Sequence, residues 1–395
     1  MSTTKLVVAG NPNFSLSYFG DADVEFFRRS VAKLVVHEQD PAIVEVEDCV
    51  VPPGKIEGSK RSGVYDRNGI LVAGSARARG GAARVPDEIP EDSELRDAVQ
   101  DSRTAYYLGR GAGHFGHFLL ETFCRAWGWE RYGPDRVPLL QTAVPDFAHS
   151  MYRLISPQLA ENIEVVPTTT RFANVLVPHP GFVLKSEAFL AYKQLCVRMA
   201  ERVAWSRGNM SDQPVYLSRS GLNSKRQRSM LGEERLERLL EAEGVRVVRP
   251  ETLPIPDQIA LFNTHQWIIA PMGSACHGRL FATRKTSLIM LCRNRLTPNL
   301  PLCDSLSEGP AFYVNVLSGL SEKFRYDEPL VLHEERLLHF LKEMGLVRHS
   351  AAFNRPDHEL IAGKQQWLRT AKREAKSRSD NGLLQAIAEV EASLR

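Results

Sequence analysis

Residues 104–127 read TAYYLGRGAGHFGHFLLETFCRAW, and the parsing of this stretch decides the fold. Tyr106, Tyr107 and Leu108 form an aromatic, apolar run of strand type, glycines follow at Gly109, Gly111, Gly113 and Gly116, and the apolar spacing over 117–129 predicts a helix. Strand, glycine turn and helix in that order open a βα unit, which puts the turn at the carboxyl end of a parallel strand. Gly111, Gly113 and Gly116 also spell GxGxxG, the pattern of a dinucleotide site. The acidic residue that would hold a ribose about 20 residues on is missing, because the next strand candidate runs into Gln141 and Thr142. An NAD(P)-dependent oxidoreductase is therefore the last of the readings kept.

Outward from this unit the alternation continues. Residues 138–140 read as a strand, 147–155 as a helix, 163–167 and 175–177 as strands, and 185–205 as a long helix. A second block follows: strands at 214–218, 245–248, 266–270, 287–292 and 312–316, with helices at 232–243, 255–263 and 278–282. Two such blocks predict an α/β protein with two Rossmann-like domains, 104–210 and 211–330, facing a cleft at the carboxyl ends of their strands. Residues 1–103 carry breakers at 11–13, 51–54 and 74–84 between short β-prone runs at 5–9, 42–46 and 69–73, so they predict an irregular, strand-containing N-terminal region. Residues 331–395 predict a helical C-terminal extension.

Composition limits the classes. The 395 residues are 43% hydrophobic, 25% charged and 8% aromatic, which excludes collagen-like, disordered and disulfide-scaffold chains. Fifty Lys+Arg against 47 Asp+Glu leave +3, no general signal for nucleic acid. The six cysteines include no CxxC pair, which fits reduced thiols better than a zinc site. No run reaches 18 apolar residues and the N-terminus is unlike a signal peptide, so a cytoplasmic, soluble protein is expected. The basic segment 364–378 reads either as a solvated face or as a peripheral contact with anionic membrane or a lipid-linked acceptor at the inner face.

Three segments carry candidate chemistry. In the first, a helix would put His117 and Glu121 at i and i+4 on one face, with His114 three residues earlier. A carboxylate beside an imidazole can fix its tautomer or itself take a proton from a hydroxyl. The plainer alternative pairs Glu121 with Arg125, also at i+4, and leaves His117 as a cap. In the second, YLSRSGLNSKRQRS (216–229), Arg219, Lys225, Arg226 and Arg228 gather after a strand, as a diphosphate site requires or as a solvated basic loop would. In the third, WIIAPMGSACHGRLFA (267–282), an apolar strand opens into Gly273, Ser274 and Ala275 ahead of a helix. That is an anion-binding arrangement, or else a tight turn with glycine at positive φ. His277 taken alone reads as structural rather than catalytic. No metal site is expected; Asp21-Ala-Asp23 has the letters of a metal dyad but lies in the irregular region.

In this order the three segments resemble the family 61 glycosyltransferases, whose bacterial members are described as capsular polysaccharide biosynthesis proteins. HFLLETFCR (117–125) is similar to the family's HW-x3-D-x2-PR motif, with His117, Glu121 and Arg125 on its His, acidic and Arg positions. VYLSRS (215–220) resembles its Tyr-Ile-Ser-Arg segment, Glu233 falls on a family Glu, and 247–282 looks like its following stretch through Glu251, Gln258 and Gly273. The resemblance implies a GT-B fold and an inverting, metal-independent transfer from a nucleotide-sugar donor to a glycan or lipid-linked acceptor, with no other cofactor. With that transfer in view, Glu121 or His117 is the expected catalytic base, and the second and third segments supply Arg219, Lys225, Arg226, Gly273, Ser274 and Ala275 as expected donor-binding residues. His114 and Arg125 fall on the acceptor side or behind it. Four positions depart from the pattern: Met272 stands for a His, Gly278 and Gly232 for Asn, and Met290 for a Glu. They support a second reading, a non-catalytic scaffold or binding subunit of a polysaccharide assembly complex.

Overall fold

The computed structural model describes residues 3–8, 11–19, 24–54, 62–76, 78–79, 82–83, 90–203, 205, 208–222, 230–293, 297–319, 330–348, 357–377 and 379–393. Its α/β chain builds two large sheets. The first runs in the order Ile43–Val51, Thr170–Pro178, Val99–Gly109, Val137–Leu140, Glu164–Val165. Its outermost pair, Ile43–Val51 with Thr170–Pro178, is antiparallel and the rest are parallel. The second runs Thr3–Val8, Asn11–Phe19, Ala311–Asn315, Ser287–Cys292, Trp267–Pro271, Val215–Leu217, Arg246–Val248. Apart from the leading hairpin it is parallel. Ser287–Cys292 is buried along its whole length, as the continuous apolar run of a central parallel strand demands.

The longer strands of the N-terminal region divide between the two large sheets. Asn11–Phe19 lies beside Ala311–Asn315, with Leu16 opposite Ala311, whereas Ile43–Val51 closes the first sheet. Residues 69–73 form no strand; Leu71 makes a single bridge to Tyr65. One contiguous set of buried side chains links the two sheets, from Leu16, Tyr106 and Phe118 through Tyr192 and Leu195 on helix Leu190–Arg202 to Phe262, Leu280 and Leu288.

The predicted helix 117–129 is the main local departure. Phe115–His117 is one α turn, Phe118–Thr122 a π turn, Phe123–Gly128 a 3-10 turn, and α geometry resumes at Trp129–Tyr132. Outside hydroxyls take the carbonyls a regular helix would use: Tyr192 donates to Leu119 O at 2.9 Å and Tyr106 to Arg125 O at 2.8 Å. The segment is buried nearly all round, so packing rather than propensity sets its path. Similarly, the 185–205 helix is confined to Leu190–Arg202, because Glu187–Phe189 pairs as a strand with Val35–His37.

At the far end Asp357–Ser377 and Asn381–Ser393 form a helical hairpin with its own small core around Leu368, Ala375 and Ile387. Lys372 of the basic segment is joined to Glu391 at 2.7 Å. No helix among the described residues is long and apolar enough to cross a membrane.

Candidate active site

A cleft of about 910 Å³ opens between the sheets, beyond the carboxyl ends of Val99–Gly109, Val215–Leu217 and Trp267–Pro271. All three sequence-singled segments reach it. The glycine turn supplies the first wall, and three of its four glycines have a local reason. Gly109 sits at φ +94; a Cβ on Gly111 would lie 2.3 Å from Thr142 O; one on Gly116 would meet His277 Cε1 and Ser274 Cβ at 3.0 Å. Gly113 faces open space. Close packing thus accounts for Gly111 and Gly116, and nothing in the packing requires a glycine at Gly113.

His117 Nδ1 donates to Glu121 Oε1 across the π turn. The Glu121 side chain is 4% exposed and the His117 ring 46%. With Nδ1–H held by the carboxylate, the neutral ring keeps Nε2 as a proton acceptor. The Glu121–Arg125 alternative is not realised. Arg125 is buried and turns away, giving Nη1 to Pro178 O at 2.7 Å and Nη2 to Ser75 O and Ala76 O at 3.2 and 3.1 Å. Its guanidinium therefore ties the 75–76 segment to the first sheet, although it also borders a smaller chamber of about 220 Å³ with Arg110, His114, His117 and Glu121. His114 stands with its ring centroid 5.5 Å from that of His117, and burial, then the charge of Arg219, lower its pKa.

Opposite, Arg219 emerges from the end of strand Val215–Leu217. Its backbone N–H is held by Glu233 Oε1 at 2.9 Å, the same oxygen that accepts from Tyr216 Oη at 2.9 Å, and its Nη1 reaches Met272 O at 3.3 Å. Burial pushes the Glu233 carboxyl up in pKa. Behind it Glu237 accepts from Ser218, from Ser220 and from Arg249. A buried polar network thus fixes the turn that carries Arg219. Lys225, Arg226 and Arg228 lie outside the described residues.

The third segment completes the cleft with Met272, Gly273, Ser274, Ala275 and His277. Gly273 has φ 179, extended backbone open to any residue, so the positive-φ turn is not what it provides. A Cβ there would lie 3.5 Å from Arg219 Nη1, an ordinary contact, so the residue is defined by its nearness to Arg219 and not by a lack of space. Residues 274–281 form a 3-10 helix, Ser274–Phe281, rather than the predicted helix 278–282. His277, read as structural from its isolation in sequence, lies against Gly116 of the opposite half. No sequence spacing could have joined these two.

Three of the four departures have local structural reasons. A Cβ on Gly278 would lie 2.3 Å from Phe262 Cε2; Gly232 caps helix Glu233–Ala242 at φ 81; Met290 is buried within strand Ser287–Cys292. Among the described residues no group of three or more His, Cys, Asp or Glu side chains could hold a metal ion. All six cysteines are buried free thiols.

Residues 115–289, under half of the chain, match the model of the family described as Glycosyltransferase 61. The match supports a glycosyltransferase domain over that segment, which holds His117, Glu121, Arg219, Gly273 and His277. No curated protein matches the chain.

Proposed function

We propose, from the glycosyltransferase 61 match of residues 115–289, that the chain moves a sugar from a nucleotide-sugar donor to a hydroxyl of a glycan or lipid-linked acceptor. One observation carries this reading: the Glu121-held imidazole of His117 and the Arg219 guanidinium line the same cleft from opposite walls. The donor diphosphate lies against Arg219 and the Gly273–Ala275 turn, where a guanidinium fork and backbone N–H groups offset growing negative charge. The acceptor enters from the side of His114 and the smaller chamber. His117 Nε2 takes the hydroxyl proton, Glu121 steadies the imidazolium, and the acceptor oxygen attacks the anomeric carbon from the face opposite the leaving group. Such an in-line displacement inverts the anomeric configuration and takes its electrostatic support from side chains, without metal. A GT-B-like arrangement and a place in capsular or other cell-surface polysaccharide assembly belong to the same proposal.

The test is a panel of UDP-, GDP- and dTDP-sugars with glycan acceptors, in chelator, with product configuration read by NMR. Transfer with inversion is expected. Neither transfer nor calorimetric binding of any nucleotide would leave the scaffold reading, which the substitution at Met272 in the cleft wall favours.

A further inference from the structure

We propose that His277 meets the oxygen that departs with the diphosphate, a further side chain of the reaction centre supplied, like Arg219, from the half opposite His117 and Glu121. This rests on the glycosyl-transfer reading above. The position follows from two contacts. His277 lies on the same short helix as Ser274, in the turn proposed for the diphosphate, and an atom of each lies 3.0 Å from the position a Cβ on Gly116 would take. Gly116 directly precedes His117. The imidazole lies between the residue that precedes the base and the leaving-group turn, and it borders the cleft, which on this proposal puts it beside the bond to the leaving oxygen.

The state of the ring gives an independent reason. His277 is 8% exposed, yet its Nδ1 has no hydrogen-bond partner among the described residues. Buried polar atoms are ordinarily paired, and one left unpaired costs free energy. The other deeply buried histidine illustrates the norm: His265 Nδ1 is bonded to Thr264 Oγ1 at 2.9 Å. Burial, with His114 and His117 nearby, lowers the His277 pKa to about 4, so the ring is neutral near pH 7 and keeps one N–H to donate.

In the step, the acceptor proton passes to His117 Nε2 and the acceptor oxygen bonds to the anomeric carbon. The bond from that carbon to the diphosphate oxygen breaks with its electron pair left on the oxygen. His277 donates a hydrogen bond to this oxygen and gives up no proton.

The experiment compares the parent protein with His277→Ala and His277→Asn on two donors of one sugar, the nucleotide sugar found active in the panel and its 2,4-dinitrophenyl glycoside. His277→Ala is expected to lower kcat about 100-fold on the nucleotide sugar with donor KM within about 3-fold. Asn, which retains an N–H, recovers part of the loss. On the dinitrophenyl glycoside, whose leaving group departs unaided, the loss stays below about 3-fold. Equal losses on both donors, or none, overturn the proposal, since a merely structural role would not distinguish leaving groups. Absence of turnover in the parent is a failure of the transfer reading, and appears before any variant is made. In that case ¹⁵N-histidine NMR with UDP and GDP decides: movement of the His277 ring resonances supports the contact. A nucleotide that binds by calorimetry without moving them overturns it, and binding by neither nucleotide overturns both readings.

Discussion

His117 and Glu121 are joined ring nitrogen to carboxylate across a π turn, not along a regular α-helix. The turn is held open from outside, by the Tyr192 hydroxyl on Leu119 O. The dyad geometry therefore depends on a side chain from helix Leu190–Arg202 as well as on its own segment. Irregular turns of this kind recur at functional sites.

Glu121→Gln keeps the shape of the side chain and removes the charge that fixes the His117 tautomer. The expected result is a fall in kcat of about 10²- to 10⁴-fold with nucleotide affinity unchanged within about 3-fold. Single-turnover kinetics and calorimetry check it; full activity would remove Glu121 from the mechanism.

Two neighbouring glycines should respond differently to one methyl group. Gly116→Ala meets Ser274 and His277 at 3.0 Å and presses on the seam between the halves. It should cost about 1–3 kcal/mol in stability and lower kcat. Gly113→Ala enters open space and should leave the melting temperature nearly unchanged. Thermal unfolding of both variants, side by side, distinguishes a seam effect from a general intolerance of the turn.

Glu233→Ala strips the acceptor from Tyr216 Oη and from the Arg219 backbone N–H, both at 2.9 Å. Donors left unpaired in a buried setting should lower stability by about 2–4 kcal/mol. The loosened Arg219 turn should also weaken nucleotide binding by about 10-fold. Urea unfolding and calorimetry report the two effects, and unaltered nucleotide affinity would detach Glu233 from the site.

His277 should also leave a mark on stability against pH. Its folded pKa of about 4 lies below the ordinary histidine value, so as pH falls the unfolded chain takes up this proton first. The associated stability is therefore present above about pH 6.5 and is lost on the way down to pH 4, amounting to about 2–3 kcal/mol. His277→Asn should remove that part of the slope. Urea titrations of parent and variant at pH 7.5 and 4.5 give the difference, with contributions common to both proteins cancelling.

What was legible in sequence was local. Tyr106–Leu108 and Ser287–Cys292 announce themselves as buried strands through continuous apolar runs, and Gly232 and Gly244 bracket helix Glu233–Ala242 closely. The cleft could be anticipated because Arg219 and Gly273 each follow such a strand. What was hidden depends on distant partners. The break in the 117–129 helix is imposed by Tyr106 and Tyr192, the burial of Arg125 by carbonyls of Ser75 and Pro178, and the place of His277 by Gly116. None of these pairs has a fixed spacing, so periodicity cannot find them.

The pairing of Asn11–Phe19 with Ala311–Asn315 has a consequence for biosynthesis. A ribosome delivers the amino end first, so this strand, already paired on one side with Thr3–Val8, emerges long before its second neighbour exists, and its other edge must wait until Ala311–Asn315 is made. Completion of the second sheet is thus a late event with a large loop to close, of the sort that slows folding and leaves an unpaired edge open to other chains. The two sheets cannot mature as successive beads on a string. Fragments cut near residue 210 would separate two strands that belong together, and the carboxyl-terminal piece would carry a bare edge at Ala311–Asn315.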